Sequence, residues 1–315
     1  MSTSTSVAWL KRDVLLFAYS IGCKADELHF LYELHPHFQV FPTYPVILSF
    51  KDSTQEVIPY DTTLPHPPIP HLTPQPPPLD PSRVVDGVRH LKIYKRLPVT
   101  TDGSNFSMRK SIVGIYDKGS GTVVHSRHEL IDNNSEECFA EVEAQSFYVG
   151  QGGWGGPRGP KAINHGDQVY NREPDHIMYE QTNKETSLLY RLNGDYNPLH
   201  ATPEPGKAMG FPGVILHGLV AWNMCAHAVV RCVGKSDGNS LREFEARFVA
   251  PVLPGDQLKI EMWVNELYGN QEVIEVQFLC HIIGKGIALK AGRALINISK
   301  RPANAHLEVK KNSKL

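Results

Sequence analysis

The chain has 315 residues, 41% of them hydrophobic and 21% charged, with a formal net charge of -1. This is an ordinary globular balance, long enough for one large domain or two of common size. It lacks the basic surplus of a general nucleic-acid or anionic-membrane binder, the apolar run of about 18 residues that marks a membrane span, and the charged-then-apolar start of a signal peptide.

Residues 10–50 open with a helical pattern. Val14, Leu15, Phe17 and Ala18 form one apolar face, and Ile21-Gly22 marks its end. Phe41-Pro42-Thr43-Tyr44-Pro45 then leads into Val46-Ile47-Leu48, which reads as a short strand. Residues 63–81 are proline-rich and exclude regular helix or central strand. A surface loop is the expectation there.

Beyond it the pattern turns β. Alternating or β-branched runs near 89–97, 108–116, 121–130 and 138–149 are separated by turn residues such as those of Asp117-Lys118-Gly119-Ser120-Gly121. A glycine-rich segment follows, from Gly150 to Pro160. It contains strings like a dinucleotide fingerprint, but its prolines leave no room for a phosphate-binding helix and no βαβ pattern surrounds it. A mobile connection between two halves is the expectation, with Gly152, Gly153 and Arg158 as candidate substrate contacts.

The second half contains a long apolar helix from Leu216 to about Cys232, ending at Gly234. Four further strand patterns follow, near 241–250, 257–268, 272–283 and 286–298. Four strands in a meander, twice, suggest an internal duplication. Leu97-Pro98-Val99 with Asp102-Gly103 resembles Val252-Leu253-Pro254-Gly255-Asp256, and Val84-Val85-Asp86-Gly87 aligns weakly with Leu216-His217-Gly218. The expected fold is α+β, a double hot-dog in which two antiparallel sheets each wrap a central helix. Its units are an N-terminal non-catalytic hot-dog that shapes the substrate tunnel (1–160, including the loop 63–81), a C-terminal catalytic hot-dog (161–302) and a tail (303–315).

Five cysteines, Cys23, Cys138, Cys225, Cys232 and Cys280, are scattered without a C-x-x-C pair, which reads as reduced thiols in an intracellular compartment. The chain ends Ser313-Lys314-Leu315, the tripeptide read by the peroxisomal import receptor. The expected location is the peroxisome.

The chemistry concentrates in Tyr190-Arg-Leu-Asn-Gly-Asp195-Tyr-Asn197-Pro-Leu-His200. It places a carboxylate, a carboxamide and an imidazole around a Gly and a Pro. Adding water to a polarised double bond needs groups that exchange protons near neutral pH, and Asp195 and His200 suit that work. Asn197 can fix the water while staying neutral. The same residues also make a good capped turn, so composition alone leaves both readings open. Gly218 stands at the start of the long helix, where free N–H groups can polarise a carbonyl. Packing is the competing reason for a glycine there.

Aromatic-x-Leu-x-Gly-Asp-x-Asn-Pro-Leu-His resembles the signature of the MaoC-like, type 2 enoyl-CoA hydratases. Ile215-Leu-His-Gly-Leu219, Ala246-Arg-Phe-x-x-Pro-Val-Leu-Pro-Gly-Asp256, Phe41-Pro-Thr43, Leu91-x-x-Tyr-Lys-x-Leu-Pro98 and the glycine-rich loop extend the resemblance over nearly the whole chain. It implies reversible hydration of a trans-2-enoyl-CoA to a (3R)-3-hydroxyacyl-CoA. Asp195 and His200 would be the acid/base pair, Asn197 the water-placing residue and the Gly218 N–H the oxyanion donor. It implies no metal and no cofactor, the CoA thioester being the substrate, and a homodimer. Three positions depart from the pattern: Asn193 stands where Ser, Thr or Cys is usual, Ala201-Thr202-Pro203 replaces Ile-Asp-Pro, and Gly213-Val214 precedes Ile215 where Pro is frequent. None removes a catalytic group, but all flank the site. A specialised 3-hydroxyacyl-CoA dehydratase of secondary metabolism, a hot-dog acyl-CoA thioesterase and a non-catalytic acyl-CoA-binding protein are the alternatives.

Overall fold

The computed structural model describes residues 2–53, 56–60, 72–161, 170–268 and 273–297. The tail 303–315 with Ser313-Lys314-Leu315, and residues 61–71 of the proline-rich stretch, lie outside them. No described helix is long and apolar enough to cross a membrane.

Ten strands form one antiparallel sheet. The first half supplies β1 (Ser2–Val7), β2 (Val84–Ile93), β3 (Phe106–Asp117), β4 (Gly121–Asp132) and β5 (Glu137–Val149). The second supplies β6 (His176–Gln181), β7 (Leu241–Phe248), β8 (Gln257–Tyr268), β9 (Val273–Ile282) and β10 (Gly286–Asn297). The order is β1-β3-β4-β5-β2-β7-β10-β9-β8-β6. It is palindromic: β1 corresponds to β6, β2 to β7, and so on through β5 and β10. The duplication is therefore visible in the topology. The halves join where β2 pairs with β7, Leu91 opposite Phe244 and Arg89 opposite Ala246.

Alternation explains the strands. Leu258, Ile260 and Met262 of β8 are buried on one face while the residues between them turn outward. The inward face of the second half wraps α6 (Gly218–Cys232), which is buried on nearly every side from Leu219 to Val230. A helix apolar all round needs such an enclosure. Trp222 meets Phe244 edge-on at 4.6 Å, and Phe244 stacks on Phe278 at 4.8 Å.

The first half keeps the sheet but divides its helical segment. Between β1 and β2 lie α1 (Lys11–Ser20), α2 (Leu28–Leu31) and α3 (Leu48–Lys51). The expected strand at Val46-Ile47-Leu48 is instead a 3-10 turn, Tyr44–Ile47, running into α3. Pro45 fixes a helical φ at the start of that turn, and burial of Tyr44, Val46, Ile47 and Leu48 overrides β propensity. The weak alignment of Val84–Gly87 with Leu216–Gly218 also fails. Residues 84–87 begin β2, whose counterpart is β7, not the start of a helix.

The glycine-rich segment is not a loose connection. Asp117 accepts hydrogen bonds from the N–H groups of Gly119, Gly153 and Gly155, each at 2.8 Å, and those bonds hold its carboxyl below the usual range, Gly153 foremost. Trp154 Nε1 donates to Thr122 Oγ1 at 2.9 Å. A Cβ at Gly152 would stand 2.5 Å from the Gly119 carbonyl oxygen. The loop is therefore folded tightly onto the β3–β4 turn.

Candidate active site

Two short segments build the site. α4 (Thr186–Tyr190) runs into a 3-10 turn, Arg191–Asn193, and then into Gly194. Gly194 has φ +125, and a Cβ there would stand 2.9 Å from the backbone of Lys51, so glycine is required twice over. Asn193 is buried and donates through Nδ2 to Ser20 Oγ and to the Tyr190 carbonyl. It ties the Asp195 loop to α1, a use for a carboxamide that Ser, Thr or Cys could not match in reach.

Asn197 Oδ1 accepts from Leu199 N at 3.0 Å and caps a second 3-10 turn, Pro198–His200. The capped turn thus coexists with the Asp195–His200 pair, and the cap engages Oδ1 of Asn197 and not Nδ2. α5 (Pro203–Ala208) follows, and the chain returns as Ile215-Leu216-His217 to start α6. Ile215 N donates to the Leu199 carbonyl, so the two segments lie side by side.

His200 Nδ1 lies 2.9 Å from the Ile215 carbonyl oxygen. A carbonyl only accepts, so Nδ1 carries the proton and Nε2 presents a lone pair. His217 Nε2 donates to the main-chain carbonyl of Asp195 at 3.0 Å, and its ring stacks on His200 at 3.7 Å. Asp195 Oδ1 accepts from Asn197 N at 3.3 Å. Ligand-type atoms of Asp195, His200 and His217 all lie within 4.8 Å of one another.

Burial sets the proton affinities. It raises the Asp195 carboxyl, with Asp86 adding to the rise and His200 and the Asn197 N–H opposing it. It lowers His200 against the pull of Asp195, and lowers His217 far more, with His200 contributing. Both imidazoles are therefore neutral near pH 7, and the carboxyl holds a proton more readily than a free aspartate.

Gly218 is the first residue of α6, so its N–H has no partner within the helix. A Cβ there would lie 2.9 Å from Asp86 Oδ2 and 2.9 Å from the Phe248 ring. Asp86 comes from β2, so the first half reaches the site directly. Asp86 pairs with Arg89, whose charge also lowers the Asp195 carboxyl. Tyr60 is near enough for Asp195 to raise its phenol, after burial. Tyr190 OH accepts from Asn223 Nδ2 at 3.1 Å in the interior. Asp86, Arg89, Tyr60 and Phe248 lie far from 190–218 along the chain, and no local pattern marks them as site residues; pairing of β2 with β7 brings Asp86, Arg89 and Phe248 together.

Asp195, Asn197, His200 and Gly218 are thus gathered in one place. Gly152, Gly153 and Arg158 are not. Arg158 is 70% exposed beside Asp117, and no described contact brings these three to Asp195 or His200. A second cluster, Cys23, Glu27 and His227, has metal-ligand spacing, with Glu27 and His227 bonded to each other at 2.7 Å.

Residues 163–281 match the MaoC like domain family, and residues 8–150 match the MFE-2 hydratase 2 N-terminal domain. A probable dehydratase NIT22 from Ajellomyces capsulatus is 46% identical over 299 residues, covering 91% of this chain and 78% of that one. Enoyl-CoA hydratase 2, peroxisomal, from Arabidopsis thaliana is 30% identical over 278 residues, 84% of each. The solved MaoC-like dehydratase from Phytophthora capsici superposes with a TM-score of 0.79 at 27% identity, over 95% of this chain and 96% of that one.

Proposed function

The chain belongs to the MaoC-like dehydratase family in its two-module, hydratase 2 form, and from that premise we propose that it hydrates trans-2-enoyl-CoA to (3R)-3-hydroxyacyl-CoA as a hydro-lyase. The observation that carries the reading is the pairing, at the start of α6, of an imidazole whose Nε2 can accept a proton with a buried carboxyl whose proton affinity burial raises. The thioester oxygen receives the Gly218 N–H, which draws electron density from carbon 3. A water held by Asn197 Nδ2 attacks carbon 3. Its proton passes to His200 Nε2 while Asp195 gives its proton to carbon 2. His200 then returns a proton to Asp195, and the pair is reset. The reaction consumes water alone and uses no metal or cofactor.

The same steps run backward eliminate water. The relative named as a probable dehydratase, at 46% identity, favours that direction as the second reading. One assay addresses both. Loss of conjugated-enoyl absorbance on adding trans-2-enoyl-CoA, followed by chiral assignment of the product, supports hydration if the (3R) isomer forms. Release of free CoA without hydration would instead identify a thioesterase.

Two further proposals concern context. Ser313-Lys314-Leu315 and the relative named as peroxisomal support import into peroxisomes. A fluorescent fusion ahead of the intact tail should form puncta with a peroxisomal marker and become diffuse when the tripeptide is deleted. A homodimer is the second, on the resemblance alone, and sedimentation equilibrium should then return twice the 35.2 kDa chain mass.

A further inference from the structure

The inward face of the first half is polar where a core face is ordinarily apolar. Leu91, Val142, Leu130 and Met108 identify this face as interior. Along it, Arg89 on β2 stands opposite Ala144 on β5, which stands opposite Ser126 on β4. His128 lies two residues from Ser126 and shares its side of the sheet. Asp86, opposite Ser146, continues the row toward Gly218.

The row is not fully closed off: Asp86, Ser126, His128 and Ser146 are each only half-buried although they face inward. α3 reaches the face at Lys110, which stands opposite His128 and whose Nζ donates to the Ser49 carbonyl at 3.1 Å, whereas Arg89 and Asp86 lie nearer the Gly218 end. A single long helix like α6 would have covered the row.

Two nitrogens on the row lack partners. Arg89 is 4% exposed; its Nη2 binds Asp86, and its Nε has no partner among the described residues. His128 Nε2 bonds to Ser126 Oγ at 2.9 Å, and its shielded Nδ1 has none. Arg89 acts on His128: burial first, the Arg89 charge second and the Lys110 charge third push His128 down to about 3. Buried donors without partners cost free energy unless something fills them.

The chemistry of the two nitrogens narrows the ligand. Asp86 already balances Arg89, so a second anion would be buried without compensation. A hydroxyl can accept from Arg89 Nε–H, and with His128 Nδ1 it can either donate or accept. An acyl chain leaving the Gly218 end would pass along this row, with Arg89 three residues from Asp86, roughly 10 Å along the strand.

We propose that Arg89 and His128 form a subsite for a hydroxyl group on the acyl chain, making a hydroxylated enoyl-CoA the preferred thioester. This rests on the hydratase reading and specifies its substrate class.

The test compares kcat/KM for an unsubstituted trans-2-enoyl-CoA with that for the same chain carrying a hydroxyl at successive positions away from the thioester. At one position the wild type should favour the hydroxylated thioester at least about tenfold, one hydrogen bond to a buried polar group. His128→Leu and Arg89→Met should bring that ratio toward one, with His128→Leu retained as the decisive variant if Arg89→Met fails to fold. A wild-type ratio near one at every position, or an undiminished ratio in His128→Leu, overturns the proposal. If no thioester is hydrated, the hydratase reading fails separately. The subsite is then judged by calorimetry with saturated acyl-CoAs, with and without the hydroxyl, and equal affinities overturn it.

Discussion

The imidazole of His217 holds the main-chain carbonyl of Asp195 at 3.0 Å while its ring lies on His200 at 3.7 Å. One side chain at the cap of α6 therefore fixes both members of the acid/base pair. Burial keeps it neutral, which suits a positioning residue and not a proton carrier. His217→Phe preserves the stacking and deletes the hydrogen bond. We expect kcat to fall roughly 10- to 100-fold with little change in KM, because a small misplacement of Asp195 damages the transition state more than binding. The pH limits of activity should stay where they were. A shift of those limits would make His217 a participant in proton transfer.

In the proposed mechanism Asp195 and His200 share one proton during turnover. Acid adds a second and silences His200 as an acceptor, while alkali strips the one that Asp195 delivers. The wild-type profile of kcat/KM should therefore be bell-shaped, with limits belonging to the pair. In Asp195→Asn the residual rate, lower by about 10²- to 10⁴-fold, should keep only the acid limb. Burial lowers His200, so that limb should fall below about 6.5, the ordinary value for histidine. An alkaline limb that survives in Asp195→Asn would remove Asp195 from the proton path.

Gly218→Ala tests the helix start. The added methyl meets Asp86 Oδ2 and the Phe248 ring, each at 2.9 Å, so the β2–α6 contact must open. The N–H then moves off the thioester oxygen, and losing one such donor costs about 10²- to 10³-fold in kcat. Wild-type kcat with an unchanged melting temperature would place the oxyanion elsewhere.

Strands β7 to β10 are legible because alternating or β-branched runs stand there between Gly- or Asn-containing turns, and α6 is legible because most of its residues are apolar. The edge strands β1 and β6 were not. Ser2–Val7 is almost entirely polar, and its place is set by pairing with β3. His176–Gln181 alternates only weakly and is held by β8. The glycine-rich loop looked free because its anchor, Asp117, lies more than thirty residues upstream. In the site, Asp195, Asn197, His200 and Gly218 share a short stretch of chain and could be read together. Asp86 and Arg89 join them only through the β2–β7 junction, which no local pattern encodes.

Away from the site, Glu27 shows what fastens the first half to α6. Its carboxylate accepts from His227 Nε2 at 2.7 Å, pairs with Arg231 Nη1 at 2.8 Å and accepts from Lys24 N at 2.9 Å. Burial alone would raise this carboxyl, but those partners outweigh it and bring it to about 2. A depressed acid stabilises the fold above its unfolded value, near 4.5, and loses that contribution as pH falls toward 2. Glu27→Gln should therefore destabilise the protein by about 3 kcal/mol at pH 7, in the range for breaking a buried ion pair. The gap between variant and wild type in denaturant midpoint should narrow steadily below about pH 4.5. A gap that stays constant down to pH 2.5, or none at neutral pH, would mean that apolar packing of α1 and α2 holds this joint and the ion pair does not.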